Sequence, residues 1–150
     1  MKRIISKVLL GLIIVTGCSS VPKYEVSQDL DRSKLAKLHI YRTNAAYHSL
    51  NPEKPYFYIN GKEIGKLGTG EAKSIDVQPG NHTITVKEPI MFMPGYENGR
   101  VEIEVRENEE YYVRYSKDFS GVVVTGGTST TTTGKTTIRL VDKEYFIARK

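Results

Sequence analysis

The chain has 150 residues and a formal charge of +5, with 26% charged and 9% aromatic residues, one cysteine and no tryptophan. That length supports one domain with a substantial core, and a lone cysteine excludes a disulfide framework. Lys2, Arg3 and Lys7 supply three of the 22 basic residues, leaving 19 against 17 acidic ones, and the signs alternate in stretches such as Arg100, Glu102, Glu104 and Arg106; this excludes the clustered basic face that nucleic-acid binding requires.

The first basic residues precede an apolar run, Val8 to Val15, too short for the ~20 apolar residues of a bilayer span. Residues 1–17 therefore read as a signal peptide. Thr16-Gly17-Cys18 resembles the lipobox of bacterial lipoproteins, which implies that Cys18 carries fatty acyl chains such as palmitate and becomes the N-terminus of a membrane-held protein. Acylation also removes the anomaly of an unpaired thiol in an oxidising compartment, and two or more chains hold firmly at about 0.8 kcal/mol per buried CH₂. Ser19 stands where aspartate accompanies inner-membrane retention in Gram-negative lipoproteins, so the resemblance implies the outer membrane, facing the periplasm. Residues 18–35 contain Pro22 and many polar side chains and read as the lipidated cysteine and its tether, whose fifteen residues from Ser19 to Ser33 reach at most about 50 Å when extended, with room for a short helical turn near Asp29 to Ala36.

From Ala36 to the end, short β-type runs alternate with turn residues, the pattern of an all-β sandwich of about seven to nine short antiparallel strands. Leu38 and Ile40 alternate with Lys37, His39 and Tyr41. Tyr56 to Ile59 leads into Asn60-Gly61, a type I′ hairpin signal, and Lys62 to Leu67 returns. Ser74 to Val77, the turn Pro79-Gly80-Asn81 and His82 to Lys87 read as a second hairpin. Val101, Ile103 and Val105 make a strand with one wet face, and Tyr111, Val113 and Tyr115 its returning partner after a turn at Asn108. Val122 to Thr125 and Thr136 to Val141 read as a later pair joined by a mobile Gly/Thr/Ser linker, Gly126 to Lys135. Glu144 to Ala148 closes the chain as a last strand or a short extension packed by Tyr145, Phe146 and Ile147.

Tyr58-Ile59-Asn60-Gly61-Lys62-Glu63-Ile64-Gly65-Lys66-Leu67, followed by Ile75-Asp76-Val77-Gln78-Pro79-Gly80-Asn81-His82-Thr83-Ile84, resembles the pattern of a family of bacterial envelope proteins labelled domain of unknown function 2846. Leu38-His39-Ile40-Tyr41-Arg42 fits it too. The same rhythm is similar to PEGA-type and transthyretin-like modules. The resemblance covers Ala36 to Lys87 well and the remainder weakly. It implies an immunoglobulin- or prealbumin-like β-sandwich over 36–150 and brings no activity and no catalytic residues.

Chemistry is sparse. His39, His48 and His82 are the only histidines, none with a second His or Cys at metal-ligand spacing, so no metal is expected. His82 shares parity with Ile84 and reads as a hydrogen-bonded strand histidine. Gly134-Lys135-Thr136 echoes a phosphate loop, but the glycine that motif needs falls on Ser129 and no helix follows. No GxSxG elbow is present, and Cys18 is taken by lipid. No cofactor is expected.

Two surface features remain. Met91, Phe92, Met93 and Tyr96 lie in the apolar loop Pro89 to Gly99, and exposed Met and Phe mark binding surfaces; the competing reading is a plug over one end of the core. Tyr41, Tyr47, Tyr56, Tyr58, Tyr111, Tyr112 and Tyr115 offer stacking faces for glycan, or only strand propensity. The expectation is a non-enzymatic, membrane-anchored binding or assembly module of the bacterial envelope. It meets an envelope protein or a glycan through that loop or a sheet edge. A cell-wall or polysaccharide binder and a periplasmic hydrolase are the alternatives.

Overall fold

The computed structural model describes residues 21–45, 53–125 and 129–148. The signal reading of 1–17, Cys18, His48 and Tyr47 lie outside them. Among the described residues eight strands form a β-sandwich: β1 (Ala36–Arg42), β2 (Tyr56–Ile59), β3 (Lys62–Lys66), β4 (Ala72–Val77), β5 (Gly80–Ile90), β6 (Met93–Val105), β7 (Glu110–Thr125) and β8 (Ser129–Val141), followed by a helix, α1 (Lys143–Ala148). One sheet has the order β4-β1-β7-β8 and the other β3-β2-β5-β6.

The core lies between the sheets because each strand turns alternate apolar residues inward. Leu38, Ile40, Phe57, Ile59, Val77, Ile84, Val86 and Val113 are fully buried, each contributing about 1.5–3 kcal/mol by leaving water. Phe57 from one sheet meets Tyr115 from the other edge-on, with centroids 5.5 Å apart. Asn60 and Gly61 adopt φ of 50° and 77°, the expected two-residue I′ turn, with Ile59 opposite Lys62.

Several expectations change. The pairs β4–β5 and β6–β7 are not hairpins, since the partners sit in different sheets. β5 is flanked by β2 and β6, so no edge is left for β4. Gln78 and Pro79 instead form a corner between the layers, where Pro79 has no N–H to continue a ladder. At the second corner Asn108 has φ 59°, and the Tyr111 hydroxyl accepts from the Arg106 N–H at 2.9 Å and donates to Glu109 at 2.7 Å. The sandwich is not wholly antiparallel: β1 and β7 run parallel, Leu38 opposite Tyr111, because the whole second sheet intervenes as their crossover. Nor are β5 to β8 short, at 11 to 16 residues each.

The Gly/Thr/Ser segment from Ser129 to Lys135 is strand rather than linker: Thr130, Thr131 and Thr132 face Val124, Val123 and Val122 in an antiparallel ladder. β-branched threonine suits a pleated surface as well as valine does. The C-terminal stretch is a helix, not a strand. It lays Phe146 against Tyr41 and Tyr112 on the outer face of the first sheet, while Ile147 stays exposed. The tether is shorter than the sequence suggests: Glu63 N–H donates to Pro22 O and Tyr24 N–H to Glu63 O, both at 2.9 Å, so Pro22–Tyr24 runs parallel along the edge of β3. A 3-10 turn follows at Arg32–Lys34, capped by Asp31.

Candidate functional site

β5 and β6 continue past the end of β2, and the segment expected to be a loop is the tip of their hairpin. Ile90 pairs with Met93 and Pro89 with Pro94, leaving Met91 and Phe92 as a two-residue turn with φ of 49° and 66°. Both central residues occupy the left-handed region that a I′ turn demands and that Asn-Gly normally supplies. Bulky side chains there are strained, and such strain persists where the surroundings or a function hold it. Gly95 is required beneath the turn, since a Cβ there would sit 2.5 Å from Ile90 Cγ1 and 2.8 Å from Glu88 O.

The tip is not a core plug. Met91 is 81% exposed, Phe92 78% and Met93 64%, with Ile90 and Tyr96 also exposed. The structure thus brings Met91, Phe92 and Met93 together at one turn and sets Tyr96 three residues further along β6. The Tyr56 hydroxyl donates to Phe92 O, fastening the turn to β2. Below it Lys66 lies over the Tyr56 ring at 4.2 Å and Lys87 over the Tyr58 ring at 4.9 Å. Glu53, Lys54, Tyr56, Lys66, Pro89 and Phe92 line a small depression of about 180 Å³.

Behind the hairpin is a buried polar group of contacts that sequence reasoning missed. Glu88 is buried, accepts from the Tyr115 hydroxyl and from Asn98 Nδ2 at 3.1 Å, and forms an ion pair with Lys117 Nζ at 3.6 Å. Asn98 Nδ2 also donates to Thr136 Oγ1 at 2.8 Å, joining the β5–β6 and β7–β8 arms. Burial, then the Glu88 charge, pushes the Tyr115 hydroxyl pKa up, so it stays a donor. Arg42 donates to Leu67 O at 2.9 Å and Glu53 O at 3.3 Å, and burial lowers its pKa. The signal was legible: Glu88 shares parity with Ile84 and Val86 and therefore points inward.

Of the seven tyrosines read as stacking faces, the six among the described residues offer little open surface. Tyr41, Tyr56, Tyr58, Tyr112 and Tyr115 are buried, and Tyr111 is half-buried. His82 is the buried strand histidine expected from its parity. Its Nε2 lies 2.7 Å from Gln78 O and its Nδ1 2.9 Å from Asn60 Nδ2, which places the proton on Nε2 and leaves Nδ1 to accept. Asn60 Oδ1 accepts from Thr83 N–H at 2.9 Å. The Asn-Gly turn and the Pro-Gly-Asn-His corner are thus one structural lock. His39 Nδ1 lies 2.7 Å from Ser74 Oγ, and its ring stacks on Tyr112 at 4.8 Å. Among the described residues, no group of three His, Cys, Asp or Glu is placed to hold a metal ion. A cleft of about 510 Å³ follows the seam between β3 and β4, lined by Lys23, Tyr24, Val26, Ile64, Lys73 and Ile75 among others, and Lys73 Nζ crosses it to donate to Ile64 O.

The model of the family described as "Protein of unknown function (DUF2846)" matches residues 32–128. No curated protein matches the chain.

Proposed function

The chain belongs to the DUF2846 family, and on that premise we propose that it is a non-enzymatic binding or assembly module of the bacterial envelope, anchored through lipid on Cys18 to the periplasmic face of the outer membrane. Its contact surface is the β5–β6 tip. The observation that carries this reading is the exposure of Ile90, Met91, Phe92 and Met93 on a turn built from two residues poorly suited to it. Apolar side chains at a protruding turn, held there against backbone preference, serve contact rather than folding. The histidines and the buried carboxylate support a non-catalytic reading, because His82, His39 and Glu88 are engaged in contacts that join elements of the fold.

The test is in vivo cross-linking followed by affinity capture from membranes, comparing the native chain with Phe92→Ser/Met93→Ser and with Cys18→Ala carrying a cleavable non-lipid signal. The tip variant is expected to fold normally and lose its envelope cross-links. The Cys18 variant is expected to leave the membrane fraction. Unchanged cross-linking by the tip variant would refute the assignment of the hairpin.

A further inference from the structure

Resting on that reading, we infer that the hairpin points its tip away from the anchoring bilayer and seats it in an apolar pocket, rimmed by carboxylates, on a protein partner. The direction follows from the strand registers. Pro22–Tyr24 runs parallel to β3, so the chain from Cys18 enters the sandwich at the Asn60–Gly61 end. In β5, Ile84 is level with Ile59 and Lys87 with Tyr56, and the strand then continues to Ile90. From Thr83, beside Asn60, to the turn at Met91 is eight residues, or roughly 25 Å. Residues 19–21 can reach about 10 Å at most. With its acyl chains in a bilayer, the domain therefore stands on its Asn60–Gly61 end, and Met91 and Phe92 point toward the opposite end.

The chemistry of the tip selects the occupant. Two edge routes are closed at the neck, because Pro89 and Pro94 face one another and neither has an N–H to offer an added strand. Recognition is left to side chains, and Phe92 flanked by two methionines is a compact apolar anchor of the kind that fills a desolvated pocket. Lys66 and Lys87 stand behind it over tyrosine rings. Neither has a carboxylate within ion-pair distance among the described residues, so both are available to carboxylates on the rim.

The test places a photoreactive p-benzoylphenylalanine at position 92 and, separately, at position 21 of the full chain, irradiates intact cells and identifies each adduct by mass spectrometry. Thermal melting first establishes that each probe chain is folded. The expected result is phospholipid at position 21 and, at position 92, a protein whose cross-linked residue lies in an apolar pocket bordered by Asp or Glu. Lys66→Glu/Lys87→Glu is expected to weaken the position-92 adduct at least about tenfold. Phospholipid at position 92 overturns the inference and leaves the hairpin as a membrane contact. A second copy of this chain there, or no adduct, also overturns it, as does a protein adduct indifferent to the charge reversal. Absence of acyl chains on Cys18 in the same spectra would mark failure of the anchoring itself, whatever the probe at position 92 finds.

Discussion

Replacing Met91-Phe92 with Asn-Gly should make the protein more stable and less able to bind. In the left-handed region an ordinary L-residue costs roughly 1–2 kcal/mol, and Met91 and Phe92 both lie there. Asparagine tolerates the conformation and glycine adopts it freely, so about 2–3 kcal/mol of strain is relieved. Glycine's greater freedom in the unfolded chain returns about 1 kcal/mol of that. The Tyr56 hydroxyl bond to the residue 92 carbonyl uses backbone and survives the change. The net gain is about 1–2 kcal/mol, or a rise in melting temperature of roughly 3–8 °C for a domain of this size. Circular dichroism melts of the two chains under identical conditions measure it. A melting temperature that falls by more than about 2 °C would show that the apolar pair stabilises the fold, and would refute a functional origin of the strain.

Further outcomes follow from other contacts. His82→Ala removes the acceptor of the Asn60 amide and the donor to Gln78 O; with the cavity it leaves, a loss of about 3 kcal/mol is expected in urea titrations, and a loss below 1 kcal/mol would contradict the lock. Glu88→Ala takes a shared acceptor from Tyr115 and Asn98 and the ion-pair partner from Lys117 and should cost about 3–5 kcal/mol, visible as a lower urea midpoint. Glu110 is held down to about 2, first by its bond to Lys143 and then by that to Tyr112. A carboxylate whose pKa is depressed on folding adds stability above its unfolded value and loses it as pH falls. NMR signals of Phe146 should therefore report loosening of α1 between about pH 4.5 and 2, and Lys143→Met should weaken that transition.

Much of the architecture was legible because a half-buried strand writes its parity into the sequence. Leu38/Ile40, Ile84/Val86 and Ile103/Val105 all face the core as their alternation required. Turn chemistry was equally explicit at Asn60-Gly61. What adjacency could not reveal was which layer a strand joins. A Pro-Gly turn and an interlayer corner use the same residues, and only the occupancy of both β5 edges decides between them. The Thr-rich strand escaped notice because glycine and serine beside it imitate a linker, although its threonines carried strand propensity. The tip residues were visible as an apolar segment, but not their exposure, since a plug and a protruding turn share one composition. The charge of Glu88 argues for the surface, whereas its position in the alternation with Ile84 and Val86 places it inside.

The parallel pairing of β1 with β7 governs the order in which the molecule can be made. Lys37 finds its partner only at Glu110, roughly 70 residues later, and β1 lies between β4 and β7 at the middle of its sheet. Long-range pairings of this kind make folding slow, on the millisecond-to-second scale. In a chain made N-terminus first, that sheet cannot be completed before Tyr115 has emerged, and were the protein exported as proposed, its core would close only after most of it had crossed.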